Sequence, residues 1–281
     1  MNIIDCKKIA DEFNEIIRER IDEVKHFGSV PKISFIVGND DGVDSKIIND
    51  RCLFAEQMGV AYEIHKLNQD AKESEVAELI DKLNRDNSVH AISLQYHLPR
   101  KLSFRNLVNL INVDKDVEGM TTLNQGRLFS GDPGIIPCVP LGVLHLLRSV
   151  HEHLEGMHAV VIGRSSVVGR PLTQLLLNVN CTVTLLHSYS RDLPKICKDA
   201  DILISAVGSP DFIDAGCVKS GAAIVDVGLN EVIENGEKKI KGDVDFDSIK
   251  ELTGTITSVG GVEPIGLSYL IHNTLKLACC Y

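Results

Sequence analysis

The sequence has no excess of basic residues and no long apolar segment. Its 281 residues include 29 Lys and Arg against 39 Asp and Glu, which gives a formal net charge of −10. A nucleic-acid binder needs a basic face for the phosphates, so we expect no nucleic-acid partner, although one small basic pocket for an anionic ligand is compatible with this charge. No apolar run approaches the roughly 20 residues that span a bilayer, so we expect no membrane partner.

A secretory leader and paired metal-binding cysteines are also missing. The N-terminal stretch MNIIDCKKIADEFN carries acids early and has no apolar core, so no signal peptide is expected. Eight cysteines are present, but no two have the CxxC spacing of a zinc site. We therefore expect a cytoplasmic protein without a bound metal, in which the cysteines are reduced and mostly buried.

Helices and strands alternate along the first half of the chain. Apolar residues recur at helical spacing over 5–27, a buried strand is expected at 32–37 and a helix at 44–58. A strand at Ala61–Leu67 continues the alternation. This pattern predicts an α/β protein with a mostly parallel sheet that is covered on both faces.

The periodicity breaks between residues 114 and 140, where Gly, Pro, Asp and Asn are frequent. A second alternating run begins with the strand HAVVI at His158–Ile162. We therefore expect two domains, 1–140 and 141–263, and we interpret 114–140 as a long functional loop or linker. The last segment, 264–281, contains an amphipathic helix, which we expect to pack back on the first domain because its apolar residues need a surface to cover.

The clearest chemical signal is the stretch HAVVIGRSSVVGRP, in which a strand leads through a glycine-containing turn into a helix. Exposed N–H groups at such a helix start attract a phosphate. The spacing of Gly163 and Gly169 is not that of the usual G-x-G-x-x-G fingerprint, so a plain strand–turn–helix without a ligand is the alternative. The candidate cofactor-binding residues of the turn are Gly163, Arg164, Ser165, Ser166 and Gly169.

The next strand ends at His187 and Ser188, where an NAD site usually has an Asp or Glu for the ribose hydroxyls. No acid stands there. Arg164 and Arg191 lie close in sequence and would suit a 2′-phosphate, with Ser188 as a further hydrogen-bond donor, because guanidinium pairs well with phosphate. The sequence thus predicts NADP rather than NAD; the alternative is that these arginines are solvated surface charges.

Several motifs together resemble the bifunctional methylenetetrahydrofolate dehydrogenase/cyclohydrolase family over nearly the whole chain. They are IIDCKKIA, FIVGNDD, SLQYHLP, KDVEG, NQGRL, IPCVPLG, GRSSVVGRP, AVGSPDFI, IVDVGLN and GDVDF. The resemblance implies an N-terminal α/β catalytic domain, a Rossmann-like NADP domain with a parallel sheet, a folate cleft between them and a homodimer. It also implies a role in one-carbon metabolism and purine biosynthesis. A tetrahydrofolate derivative would be oxidised by NADP, and water would then open the methenyl product to 10-formyltetrahydrofolate.

The resemblance also implies site residues. The family's catalytic Gln is Gln95, its Lys falls on Arg51, its Tyr falls on Ile47, and the second Asp of its D-V-D-G motif is Glu118. The resemblance further assigns Asp116 and Pro264 to substrate binding and His187 and Gly208 to the cofactor. Lys46 is a poor substitute for the family Lys, because it lies five positions before Arg51 and faces another side of the helix.

These departures make the cyclohydrolase step doubtful, because Arg stays protonated and is a poor proton shuttle. One alternative is a catalytically weak or silent nucleotide-binding paralogue, and another is a reductase of a different pterin-like or small carbonyl substrate. We expect Arg51, Gln95, Asp116 and Glu118 to converge on one pocket, since ligands of α/β folds bind beyond the carboxyl ends of the strands.

Overall fold

A computed structural model describes residues 2–26, 28–38, 43–234 and 236–279. Helices and strands alternate along its first half, as the hydrophobic pattern predicts. The elements are β1 (Asn2–Ile4), α1 (Cys6–His26), β2 (Lys32–Gly38), α2 (Val43–Gln57), β3 (Ala61–Leu67), α3 (Glu73–Arg85), β4 (Ala91–Leu94), α4 (Phe104–Val108), α5 (Thr122–Phe129) and α6 (Cys138–Val150). The expected first helix, 5–27, ends at a position that lies outside the described residues.

The second half continues the alternation and adds a hairpin and a long last helix. Its elements are β5 (His158–Ile162), α7 (Gly169–Asn178), β6 (Thr182–Leu186), α8 (Leu193–Cys197), β7 (Ile202–Ser205), β8 (Ala223–Asp226), β9 (Asn230–Glu234), β10 (Glu237–Lys241), α9 (Phe246–Ile249), β11 (Thr255–Thr257) and α10 (Val262–Ala278). Short 3-10 turns lie at Val113–Lys115 and Ala215–Cys217.

The two main sheets are parallel, which confirms the α/β class. One sheet has six strands in the order β1-β11-β8-β7-β5-β6, and the other has three in the order β3-β2-β4. Every neighbouring pair in both sheets runs parallel. Within the part of the chain that the structure describes, only β9 and β10 pair antiparallel, as a separate hairpin.

The chain divides into two compact units. The three-stranded unit contains Phe13–Cys138 and the chain from Leu267, and the six-stranded unit contains the chain up to Glu12 and Val139–Gly266. The sequence-based boundary near residue 140 differs from this division at the N-terminus. Residues 2–12 belong to the six-stranded unit because β1 pairs with β11, register Ile3↔Ile256.

The three-stranded unit has a core on each face of its sheet. Helix α10 contributes Leu270, Ile271, Leu275 and Leu277 to the core that contains Phe35 and Ile33 of β2. Helix α3 covers the other face with Val76, Ile80 and Leu83. The last two residues of the segment 264–281 lie outside the described residues. Among those described, no helix is long and apolar enough to cross a membrane.

The segment 114–140 is more ordered than its composition indicates. It contains α5, which begins after Thr121, whose hydroxyl accepts a hydrogen bond from Asn124 N. The residues TLNQGRLF lack a clear apolar stripe, which is why the periodicity did not reveal this helix. Interpreting the whole segment as a loop was therefore wrong.

Candidate functional site

Arg51, Ser93 and Glu118 form a polar cluster in the three-stranded unit. Arg51 projects from α2, Ser93 lies on β4, and Glu118 follows a stretch that runs beside β4 through the bridge Ile92↔Asp116. Arg51 Nη1 donates to Glu118 Oε1 at 2.6 Å and to Ser93 Oγ at 3.3 Å. The Ser93 hydroxyl in turn donates to Glu118 Oε1 at 3.0 Å. Two of the predicted catalytic residues are thus in direct contact.

Burial and the ion pair between Arg51 and Glu118 determine the protonation states in this cluster. Burial pulls the pKa of Arg51 down, but the charge of Glu118 and its hydrogen bond more than offset this and raise that pKa above the ordinary value. Burial, together with the nearby charge of Glu118, raises the pKa of the Cys138 thiol well above its ordinary value. Arg51 is therefore protonated and Cys138 is a neutral thiol at neutral pH.

Gln95 lies at the carboxyl end of β4, two residues after Ser93. Its side-chain oxygen accepts a hydrogen bond from the Gly38 N–H at the end of β2, at 2.9 Å. This contact fixes the amide orientation, so the Gln95 Nε2 group is left pointing away from Gly38 as a donor. Residues i and i+2 of a strand share a face, so Ser93 could have been found from the position of Gln95 in SLQYHLP.

Asp116, the other acid of the motif KDVEG, holds local structure together. It is buried, and its carboxylate accepts hydrogen bonds from Met120 N at 3.0 Å, Thr121 N at 2.8 Å and Asn124 Nδ2 at 2.9 Å. Its oxygens thus hold the start of α5 in place. These contacts give Asp116 a structural role, and its assignment to substrate binding stays a prediction.

The remaining substrate-site candidates lie on two helices. Ile47 is part-buried in α2, one helical turn before Arg51, while Lys46 is exposed. Pro264 lies in the first turn of α10, within the six-stranded unit. A proline is tolerated there because the first N–H groups of a helix have no intrahelical partner.

The turn between β5 and α7 requires glycine at two positions. Gly163 has φ +111°, and a Cβ on it would lie 2.2 Å from the Ala206 carbonyl oxygen. A Cβ on Gly169 would lie 1.8 Å from the Gly163 carbonyl oxygen. Between them, Arg164, Ser165 and Ser166 are exposed, and Ser165 Oγ accepts from Val168 N at 3.1 Å. The turn therefore presents an open cradle at the start of α7.

The loop after β6 lies beside this cradle, because β5 and β6 are neighbouring parallel strands. His187 N donates to Ser190 Oγ at 2.9 Å and Tyr189 N donates to His187 Nδ1 at 3.1 Å, which closes a tight turn. Ser188 is exposed on this turn. The Arg164 guanidinium carbon lies 5.8 Å from the centroid of the Tyr189 ring.

Gly208, another predicted cofactor residue, lies in a loop that is anchored by a residue that the sequence did not single out. Gly208 has φ +69° and follows β7. The fully buried Asp243 accepts hydrogen bonds from Gly208 N at 3.3 Å and Val207 N at 2.8 Å. Asp243 belongs to the motif GDVDF, so the sequence marks this position. The motif does not show which backbone N–H groups the carboxylate binds. Within the described residues, no group of three or more His, Cys, Asp or Glu could hold a metal ion.

Comparisons with known proteins cover both units. The model for the tetrahydrofolate dehydrogenase/cyclohydrolase catalytic domain matches residues 4–118, and the model for the NAD(P)-binding domain of the same family matches 137–280. The bifunctional protein FolD of Staphylococcus haemolyticus is 42% identical over 274 residues, which cover 97% of this chain and 95% of that protein.

Solved structures agree with this result. The bifunctional FolD methylenetetrahydrofolate dehydrogenase/cyclohydrolase of Campylobacter jejuni has a TM-score of 0.95 at 34% identity, over 100% of this chain and 99% of that one. The Trypanosoma brucei enzyme, crystallised with NADP cofactor and inhibitor, has a TM-score of 0.94 at 28% identity, over 99% and 97%. With both domain models matched in order and 42% identity along 97% of its length, this chain belongs to the tetrahydrofolate dehydrogenase/cyclohydrolase family.

Proposed function

We propose that this chain is an NADP-dependent 5,10-methylenetetrahydrofolate dehydrogenase in which the cyclohydrolase step is weak or absent. Membership of the family supports the dehydrogenase activity. The proposal that the cyclohydrolase step is weak or absent rests on the 2.6 Å ion pair between Arg51 and Glu118. The resemblance of the motifs implies that these are the two positions at which the family has Lys and Asp.

The β5–α7 turn fits a dinucleotide, because Gly163 and Gly169 let its backbone pack closely against carbonyl oxygens while Arg164, Ser165 and Ser166 stay exposed. In this proposal the exposed turn residues Arg164, Ser165 and Ser166 hold the phosphates, and Arg164 and Ser188 hold the 2′-phosphate. When bound, NADP supplies the acceptor for a hydride. The proposed cofactor-binding residues are Gly163, Arg164, Ser165, Ser166, Gly169, His187, Ser188 and Gly208.

The dehydrogenase step depends little on Arg51, Ile47 and Glu118, the positions at which the motifs depart from the family pattern. Oxidation of the methylene bridge removes a hydride and leaves an amidinium cation, so no proton has to move. The chain then has to orient the folate, for which the amide of Gln95, held by Gly38, offers a fixed donor. Such positioning is a large source of rate enhancement in its own right.

The cyclohydrolase step depends on a group that moves a proton between water and the folate. A Lys with a lowered pKa can do this, whereas the ion pair holds Arg51 in its protonated form. Glu118 carries one methylene more than Asp and is tied to Arg51 and Ser93. The cluster therefore stabilises charge without relaying protons, which disfavours hydrolysis of the methenyl bridge.

The same cluster favours one other candidate, a nucleotide-binding paralogue without turnover. In that case Arg51 and Glu118 form a structural ion pair in a cleft that has lost its substrate, and Ile47 supplies neither the hydroxyl nor the aromatic face of the family Tyr. Binding of folate separates the two candidates, because the silent paralogue would bind NADP but no tetrahydrofolate derivative.

The test measures the two activities separately, as NADPH formation from methylenetetrahydrofolate and as loss of methenyltetrahydrofolate. We expect the first and little of the second in the wild type. Arg51→Lys should raise hydrolysis because a titratable amine returns, and Ile47→Tyr added to it should raise it further, since such residues act as a unit. Arg85→Lys, on the exposed face of α3, is the matched control and should change nothing.

Two outcomes would contradict the proposal. Wild-type hydrolysis as fast as oxidation would show that Arg51 does not impair the cyclohydrolase. The wild type and the double variant could also lack both activities and bind no folate. That result would leave only the nucleotide-binding paralogue.

We also propose a homodimer and a preference for NADP over NAD. The dimer rests on the family resemblance, and a monomer mass by light scattering at micromolar concentration would refute it. The preference rests on Arg164 and Ser188, and Arg164→Ala should weaken NADP binding by about 1–3 kcal/mol, the value of a lost charged hydrogen bond, while NAD binding is unchanged. Equal affinities of the wild type for both cofactors would contradict it.

A further inference from the structure

Tyr189 is the most exposed large aromatic residue beside the nucleotide cradle. Its side chain is 81% exposed, although an apolar ring of this size is ordinarily covered. It lies on the loop after β6, and Arg164 lies on the turn after the neighbouring strand β5. The two residues meet because Ile162 and Leu186, the last residues of the two strands, are in register.

The backbone fixes where the Tyr189 ring stands. Gly163 N donates to Leu186 O at 2.9 Å, which ties the start of one loop to the end of the other strand. The His187 ring accepts a hydrogen bond from Tyr189 N, and the rings of His187 and Tyr189 lie edge to face at 6.2 Å. The ring is therefore held by its own turn rather than by a core.

The contact between Arg164 and Tyr189 is a cation–π interaction, with the guanidinium carbon 5.8 Å from the ring centroid. No carboxylate of the described residues forms an ion pair with Arg164, and the Tyr189 hydroxyl has no hydrogen-bond partner among them. A guanidinium that lies over a ring keeps its N–H edge free for the oxygens of a carboxylate or phosphate. The Tyr189 ring therefore orients the Arg164 guanidinium without neutralising its positive charge.

We propose that Tyr189 is a positioning residue, which holds the Arg164 guanidinium ready for the 2′-phosphate of NADP and so contributes to the choice between NADP and NAD. This inference rests on the proposed NADP preference. A flexible exposed Arg loses side-chain entropy when it binds a ligand, and a ring that restricts it beforehand lowers that loss. The effect should therefore appear only for ligands that carry the 2′-phosphate.

The test compares Tyr189→Leu with Tyr189→Phe by calorimetric titration of NADP and NAD at one fixed salt concentration. An exposed cation–π contact predicts that Tyr189→Leu weakens NADP binding about two- to fivefold and leaves NAD binding unchanged. Tyr189→Phe keeps the ring and should bind both cofactors as the wild type does. Equal loss of both cofactors in Tyr189→Leu would show that the ring stacks on the adenine instead and would overturn the proposal.

A second measurement uses adenosine 2′,5′-bisphosphate, which carries the 2′-phosphate without the nicotinamide. Tyr189→Leu should weaken its binding in the wild-type background and have no further effect in an Arg164→Gln background, because the ring acts through the guanidinium. An equal effect in both backgrounds would overturn the positioning role. A wild type that binds NADP no more tightly than NAD would instead refute the NADP preference, so the two failures are distinguishable.

Discussion

Asp243 gives the sharpest prediction for stability. Its carboxylate is fully buried and accepts five hydrogen bonds within the six-stranded unit. The donors are Ser205 Oγ at 3.1 Å, Val207 N at 2.8 Å, Gly208 N at 3.3 Å, Ser209 N at 3.1 Å and Asn230 Nδ2 at 2.9 Å. Asp243→Asn keeps the shape of this side chain but replaces one acceptor oxygen with a donor.

Either orientation of the new amide turns hydrogen bonds into donor–donor contacts. If the amide nitrogen replaces Oδ1, Ser209 N and Asn230 Nδ2 lose their acceptor; if it replaces Oδ2, Val207 N and Gly208 N lose theirs, while the Ser205 hydroxyl can turn to accept. At about 1.5–2 kcal/mol per bond to a charged acceptor, the loss of two bonds is about 3–4 kcal/mol. Removal of one charge also relieves repulsion with the buried Asp226, whose pKa is raised by burial and by Asp243. We expect a net destabilisation of about 2–4 kcal/mol.

Urea unfolding measures this change as a shift of the midpoint at constant slope. Asp247→Asn is the matched control, because that carboxylate is 90% exposed and its ion pair with Lys250 is at the surface. It should leave the midpoint unchanged. Hydrogen exchange at Val207 and Gly208 should accelerate in Asp243→Asn alone. A destabilisation of Asp243→Asn below about 1 kcal/mol would refute the reasoning.

Three further predictions concern other parts of the chain. Gly169→Ala should abolish NADP binding measured by calorimetry, because the new methyl group would meet the Gly163 carbonyl oxygen at 1.8 Å. Lys115→Met should lower the free energy of unfolding by about 1–3 kcal/mol, because Lys115 Nζ donates to Leu83 O at 3.0 Å and Asp86 O at 2.8 Å. Stability in urea should fall as the pH drops below the ordinary histidine value of 6.5, because burial lowers the pKa of three histidines and the unfolded chain therefore binds protons first. They are His90, His145 and His272.

The sequence predicted the parts of the fold that are periodic and local. Strands such as HAVVI and helices such as α1 show their structure in the spacing of apolar residues, and the predicted strand at Ala61–Leu67 agrees with β3 to the residue. Strand β1 escaped prediction because three residues at one end of the chain acquire their conformation by pairing with β11 at the other. Helix α5 escaped because capping by Thr121, rather than an apolar stripe, defines it.

The candidate site was predictable as a set of positions but not as a set of contacts. Asp116 and Glu118 are two residues apart in one motif, and only the fold shows that the first is buried by α5 while the second reaches Arg51. Which side chains of different elements contact each other depends on how the elements pack, and a linear motif carries no information about packing. For the same reason Ser93 and Asp243 became visible only through their hydrogen-bond partners.

The pairing of β1 with β11 has a consequence for the order in which the chain can be completed during synthesis. Asn2–Ile4 leaves the ribosome long before Thr255–Thr257, so β1 has no partner until β11 has been made. Until then β1 is a short apolar segment that can pair with other chains, as unpaired strand edges do. The six-stranded sheet therefore closes late, and truncation of β1 or a bulky fusion before it would disturb the pairing of β1 with a strand that is distant in sequence.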